Sequence, residues 1–119
     1  MVTGFSGIPL KDRARIRMVM IELLSMLIRN SCVNPPGGEM RSINSIRGYL
    51  QRRGVDSVVY ESAPGRGNLV ARIPGTGSGP GLMFGPGHVD VAPVEKPDAW
   101  EVDPFSADEG RLHVGPRLT

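Results

Sequence analysis

The sequence predicts an α/β fold built from two N-terminal helices and a short mixed sheet. Three observations carry that expectation. Residues 10–34 contain no glycine or proline and repeat their apolar side chains at helical spacing. After Gly54 the pattern switches to short β-branched runs separated by turn residues. The chain has 119 residues, one domain's worth, so these elements must share a modest core.

The first helix is marked by Ile16, Val19, Met20, Leu23, Leu24, Leu27 and Ile28, which recur at the i, i+3, i+4, i+7 spacing of one face. Met18, Ile21 and Met26 widen that face, so the helix is expected to be covered on more than one side. Pro35-Pro36-Gly37-Gly38 stops any continuation, because proline lacks an amide donor and disfavours helix in the residue before it. A second helix is expected over Glu39–Arg53. Met40, Ile43, Ile46 and Leu50 face one way, and Arg41, Arg47, Gln51 and Arg52 point outward. Gly54 stands where a left-handed cap residue belongs, and arginines in the last turn suit the helix dipole.

Val55–Glu61 and Asn68–Ile73 then read as two strands joined by a turn at Ala63-Pro64-Gly65-Arg66-Gly67. Pro74 to Gly81 is a glycine-rich surface loop. It is not a phosphate loop, since no Lys-Ser/Thr pair follows and no helix opens there. Leu82-Met83-Phe84 is expected to form a third, short strand, and beyond His88 the prolines at 93, 97 and 104 mark loop.

Apolar residues at 39% and charged residues at 22% suit a folded protein rather than a disordered one. With three Phe, two Tyr and one Trp, the core must be mainly aliphatic. The lone Cys32 excludes a disulfide framework and a multi-cysteine zinc site. Ile16–Ile28 is too short and too charged to span a bilayer, and the N-terminus lacks the pattern of a signal peptide. A soluble, reducing compartment, the cytoplasm, is therefore expected, with no membrane partner.

The net charge of +2 conceals a division. Residues 1–53 carry nine Lys/Arg against three Asp/Glu, whereas residues 54–119 carry five against nine. A basic first half can signal nucleic-acid contact, but the arginines lack the series of interleaved aromatic residues that a stacking platform needs. Solvated helix faces account for these charges, and no nucleic-acid partner is expected.

Gly87-His88-Val89-Asp90 follows the expected third strand. Alternate residues of an extended segment point the same way, so Asp90 can bond one imidazole nitrogen of His88 and leave the other for a metal. Four residues alone also fit a loop histidine beside a turn-forming aspartate.

The wider succession is more specific: 23–37 (LLSMLIRNSCVNPPG), Asn68-Leu69-Val70-Ala71-Arg72-Ile73, Gly87-His88-Val89-Asp90-Val91 and Trp100-Glu101-Val102-Asp103-Pro104-Phe105-Ser106. In this order it resembles the start of the catalytic domain of the co-catalytic zinc hydrolases, the family of acetylornithine deacetylase, succinyl-diaminopimelate desuccinylase, aminoacylase and glutamate carboxypeptidases. The resemblance covers roughly residues 22–112. It implies an α/β catalytic domain binding two zinc ions, with His88 a zinc ligand and Asp90 the carboxylate that orients it. Trp100, Asp103, Pro104 and Phe105 would pack the neighbouring loop. In the family a metal-activated water attacks an amide bond of an N-acyl amino acid or peptide, and a glutamate serves as general base.

Two departures stand out. Gly85-Pro86 replaces the bulky strand residues of the family, removing a ladder donor just before the ligand. After Leu112 the family's metal-bridging aspartate, paired glutamates, later carboxylate ligand and last histidine find no counterpart before Thr119. Cys32 and His113 are not placed by spacing to substitute, and His113 reads as a loop residue. The resulting expectation is one partial domain over 1–119, with an extension over 1–15, the catalytic-domain start over 16–112 and a divergent tail over 113–119. It reads as a truncated metallo-hydrolase, inactive alone and binding no zinc tightly. The alternative is a small interaction module that docks on a larger protein partner or on itself.

Overall fold

The computed structural model describes residues 9–108. His113, the tail over 113–119 and the first residues of the extension lie outside that range. Within it the order is helix α1 (Leu10–Arg29), helix α2 (Met40–Gln51), strands β1 (Ser57–Ala63) and β2 (Arg66–Ala71), and a short 3-10 turn at Pro97–Ala99. The α/β class and the two helices are as the sequence predicts. The chain divides into two compact units, one comprising residues 30–95 and the other residues 9–29 with 96–108.

In the second of these units, α1 starts on Pro9, whose carbonyl accepts from the amides of Asp12 (2.9 Å) and Arg13 (3.1 Å). The helix thus begins inside the expected extension. At its other end the Arg29 guanidinium donates to the carbonyls of Ser106 (3.1 Å) and Ala107 (3.5 Å), tying the last turn of α1 to the 96–108 segment. Asp103 organises that segment locally: its side chain accepts from the Phe105 amide at 2.8 Å and its carbonyl from Ser106 at 3.0 Å.

Among the described residues the expected coverage of α1 on more than one side is not seen. Met18, Met20 and Leu24 are each more than half exposed, and Ser25 is the buried residue of the helix. A wide apolar face needs several elements to cover it, and the described part of this unit offers one short turn and loop besides the helix.

The other unit holds its core beneath α2. Ile43 is 1% exposed, and α2 packs against both strands of the hairpin. The expected faces are realised: Met40, Ile46 and Leu50 are half-buried while Arg41, Arg47, Gln51 and Arg52 are exposed. The helix ends in a Schellman-type turn, with Val55 N–H on the Leu50 carbonyl (3.1 Å) and Gly54 N–H on that of Gln51 (3.0 Å). This turn needs the left-handed φ of +70° that Gly54 adopts without steric cost.

Strands β1 and β2 pair antiparallel, with Val58 opposite Val70 and Tyr60 opposite Asn68. Arg66 at the start of β2 forms an ion pair with Glu39 just before α2 (2.8 Å), and Met40 N–H reaches the Gly65 carbonyl (3.3 Å). Gly67 lets the hairpin approach that closely, because a Cβ there would lie 2.8 Å from Met40 Sδ and 3.1 Å from the Tyr60 carbonyl oxygen.

The sheet needs one correction. Leu82-Met83-Phe84 is not a third strand: these residues pair with nothing among the described residues and are 84–91% exposed. A strand exists through its hydrogen-bonded neighbour, and Gly81 with Gly85-Pro86 removes order and a donor on either side. The sheet is a two-stranded antiparallel hairpin. Among the described residues parallel pairing occurs as one isolated bridge, Val33 to Val91.

Val58, Tyr60 and Val70 leave the outer face of the hairpin apolar and exposed, a surface that invites association. Light scattering of the purified chain should therefore show self-association at micromolar concentration. The cross-strand pair Val58→Lys with Val70→Glu should reduce it while preserving the circular dichroism spectrum.

Candidate functional site

The His88–Asp90 segment is held by the chain just before α2. Val91 N–H donates to the Cys32 carbonyl and Asn34 N–H to the Val91 carbonyl, both at 3.0 Å. Cys32 anchors this pairing from below: it is fully buried, with Sγ at 3.3 Å from the Gly38 carbonyl and 3.2 Å from Ser42 Oγ. The buried Ser42 hydroxyl is also reached by Asn30 Nδ2 at 3.3 Å. The thiol is thus buried, whereas the His88 side chain is 90% exposed.

Asp90 uses both carboxylate oxygens. Oδ1 lies 3.1 Å from His88 Nδ1, and Oδ2 accepts from Asn34 Nδ2 at 2.9 Å. The Asn34 hydrogen bond first, and the His88 bond second, hold the Asp90 carboxyl below its ordinary pKa. An ionised carboxylate can only accept, so this contact favours a proton on Nδ1, and the neutral form of the ring then has its lone pair on Nε2. The His88 side chain is 90% exposed, which leaves Nε2 open to an incoming group. An imidazole oriented through one nitrogen by a carboxylate and open at the other is the usual arrangement of a metal-ligating histidine.

His88 suits one ligand position and no more. Among the described residues no three His, Cys, Asp or Glu side chains come together. A catalytic zinc requires about three protein ligands and an open position, so the described residues do not make up a complete metal site. Trp100, Asp103, Pro104 and Phe105 belong to the other compact unit.

Sequence reasoning missed two residues here. Asn34 stands in the quoted Asn-Pro-Pro-Gly stretch, but nothing in its local pattern points to Asp90, which is 56 residues away. Glu39, expected as an ordinary first residue of α2, is 7% exposed. Its own and the Gly38 backbone amides, then the charge of Arg66, hold its carboxyl below the ordinary value.

These two carboxylates set a pH dependence. A lowered folded-state pKa means the unfolded chain binds protons first on acidification. Their stabilisation is thus full above the ordinary carboxylate range of about 4, erodes below it, and is gone once the folded-state values are passed. Thermal melts between neutral and strongly acidic pH should show the midpoint falling through that window. Glu39→Gln together with Asp90→Asn should flatten the slope.

In sequence the chain is similar to three deacylating enzymes. It is 36% identical over 89 residues to N-formyl-4-amino-5-aminomethyl-2-methylpyrimidine deformylase of Bacillus subtilis, covering 72% of this chain and 21% of that protein. It is 52% identical over 56 residues to succinyl-diaminopimelate desuccinylase of Parvibaculum lavamentivorans, covering 44% and 13%. It is 41% identical over 69 residues to acetylornithine deacetylase of Arabidopsis thaliana, covering 54% and 15%. All three names denote removal of an acyl group: formyl, succinyl or acetyl. The chain spans about a fifth or less of the length of these relatives. No family model matches it, and no solved structure does. No helix among the described residues is long and apolar enough to cross a membrane.

Proposed function

We propose that this chain is the N-terminal part of a zinc-dependent deacylase, the family its sequence resembles, and that His88 is one of the metal-ligating imidazoles. The observation that carries the reading is the His88 ring bound through Nδ1 to an ionised Asp90, with Nε2 turned to solvent. The similarity to three deacylases supports it from an independent direction. The substrate class is an amide formed between a small acyl group and an amine, in an N-acyl amino acid or a related compound.

The described residues supply one oriented donor. They supply no group of three ligating side chains, and the chain by itself is expected to show no metal-dependent hydrolysis. A chimera tests the assignment: residues of this chain replace the matched stretch of the Bacillus subtilis deformylase. Deformylase activity lost to a chelator and restored by zinc, but absent after His88→Ala, supports the reading. Full activity in the His88→Ala chimera overturns it.

A further inference from the structure

We propose that Asn34 is a positioning residue for His88, acting through Asp90: its side-chain amide holds Oδ2 so that Oδ1 stays on His88 Nδ1 and the ring keeps its proton there. A carboxylate partly open to water can turn about χ1 and χ2 and satisfy itself with solvent. Asp90, with its side chain 24% exposed, is such a case. One bond to an exposed imidazole does not prevent that turn, because His88 is itself 90% exposed and free to follow. The 2.9 Å bond from Asn34 to the second oxygen fixes the carboxylate plane from the protein side.

Asn34 can do this because its backbone is already placed. Its N–H is bonded to the carbonyl of Val91, the residue after Asp90, and the Val33–Val91 bridge and buried Cys32 hold the adjoining chain. Little further conformational entropy is lost in making the side-chain bond. An asparagine supplies a donor without a charge, so it restrains the carboxylate while leaving Asp90 the negative partner of the ring. The proposal takes its purpose from the reading of His88 as a ligand, but its geometry and its test do not depend on metal.

The test is the tautomer of the neutral His88 ring in the full chain, read from the 15N shifts of its two ring nitrogens at alkaline pH and assigned against His88→Gln. In the unaltered chain the Nδ1–H form should dominate. Asn34→Ala and Asn34→Leu, which has nearly the asparagine shape but no donor, should each lower the Nδ1–H to Nε2–H ratio by roughly three- to tenfold, the worth of one hydrogen bond. An unchanged ratio in either folded variant overturns the role of Asn34.

Should neither variant fold, exchange of the Asn34 side-chain amide protons in the unaltered chain decides. Slower exchange than for the exposed Asn68 supports the proposal, and equal exchange overturns it. These outcomes leave the deacylase reading standing or falling on the chimera alone.

Discussion

Replacing Ile43 by alanine should strongly destabilise the residue 30–95 unit. Ile43 is 1% exposed on the inner face of α2, the helix that packs on both strands of the hairpin. Cutting a buried isoleucine to alanine costs about 2–5 kcal/mol through lost transfer energy and the cavity left behind. Domains hold only about 0.05–0.15 kcal/mol of stability per residue, about 3–10 kcal/mol for a unit of this size, so the upper half of the range for the alanine replacement removes a large share of the total. Fully buried apolar side chains are scarce here: Cys32 and Ile43 are the two below 2% exposure among the described residues. Urea titration followed by circular dichroism should show the midpoint fall sharply, with the loss of helix and hairpin coinciding. A midpoint within a tenth of the parent value would mean that α2 and the hairpin are held together by something other than this core.

The Asp90→Ala replacement should cost function far more than fold. In the deformylase chimera it should lower catalytic efficiency by about 10–100-fold, the usual effect of removing the carboxylate that orients a ligating histidine. His88→Ala should do more, since it removes the donor itself. Asp90 is linked to the protein by its bonds to His88 and Asn34, and the Val33–Val91 pairing beside it uses backbone groups alone. The segment should therefore stay in place without the carboxylate, and the thermal midpoint at neutral pH should change much less than activity does. A chimera that keeps full efficiency as Asp90→Ala would remove the orienting role, and with it the observation on which the metal-ligand reading of His88 rests.

The outward imidazole and its carboxylate were legible in the sequence because they are two residues apart. In an extended segment that spacing alone puts both side chains on one side. The partner on the other side of the carboxylate was not legible. Asn34 lies between Val33 and two prolines, and its local signals speak of a helix stop rather than of a hydrogen bond to a residue 56 positions later. The burial of Glu39 was equally hidden, since it depends on Arg66 arriving from the far end of the hairpin.

What the sequence by itself determined is therefore the local structure. The periodicity of α2, its stop at Gly54, the two strands and their turn all follow from interactions within a few residues, and the structure reproduces them. The tertiary structure alone decided the pairings. It joined residues 32–34 to residue 91, set Asn34 against Asp90 and, among the described residues, withheld a partner from Leu82-Met83-Phe84 and left Met18, Met20 and Leu24 exposed. The physical reason is that a helix closes its hydrogen bonds within its own segment, whereas a strand or a clamped side chain acquires its partner only when a distant part of the chain has been placed beside it.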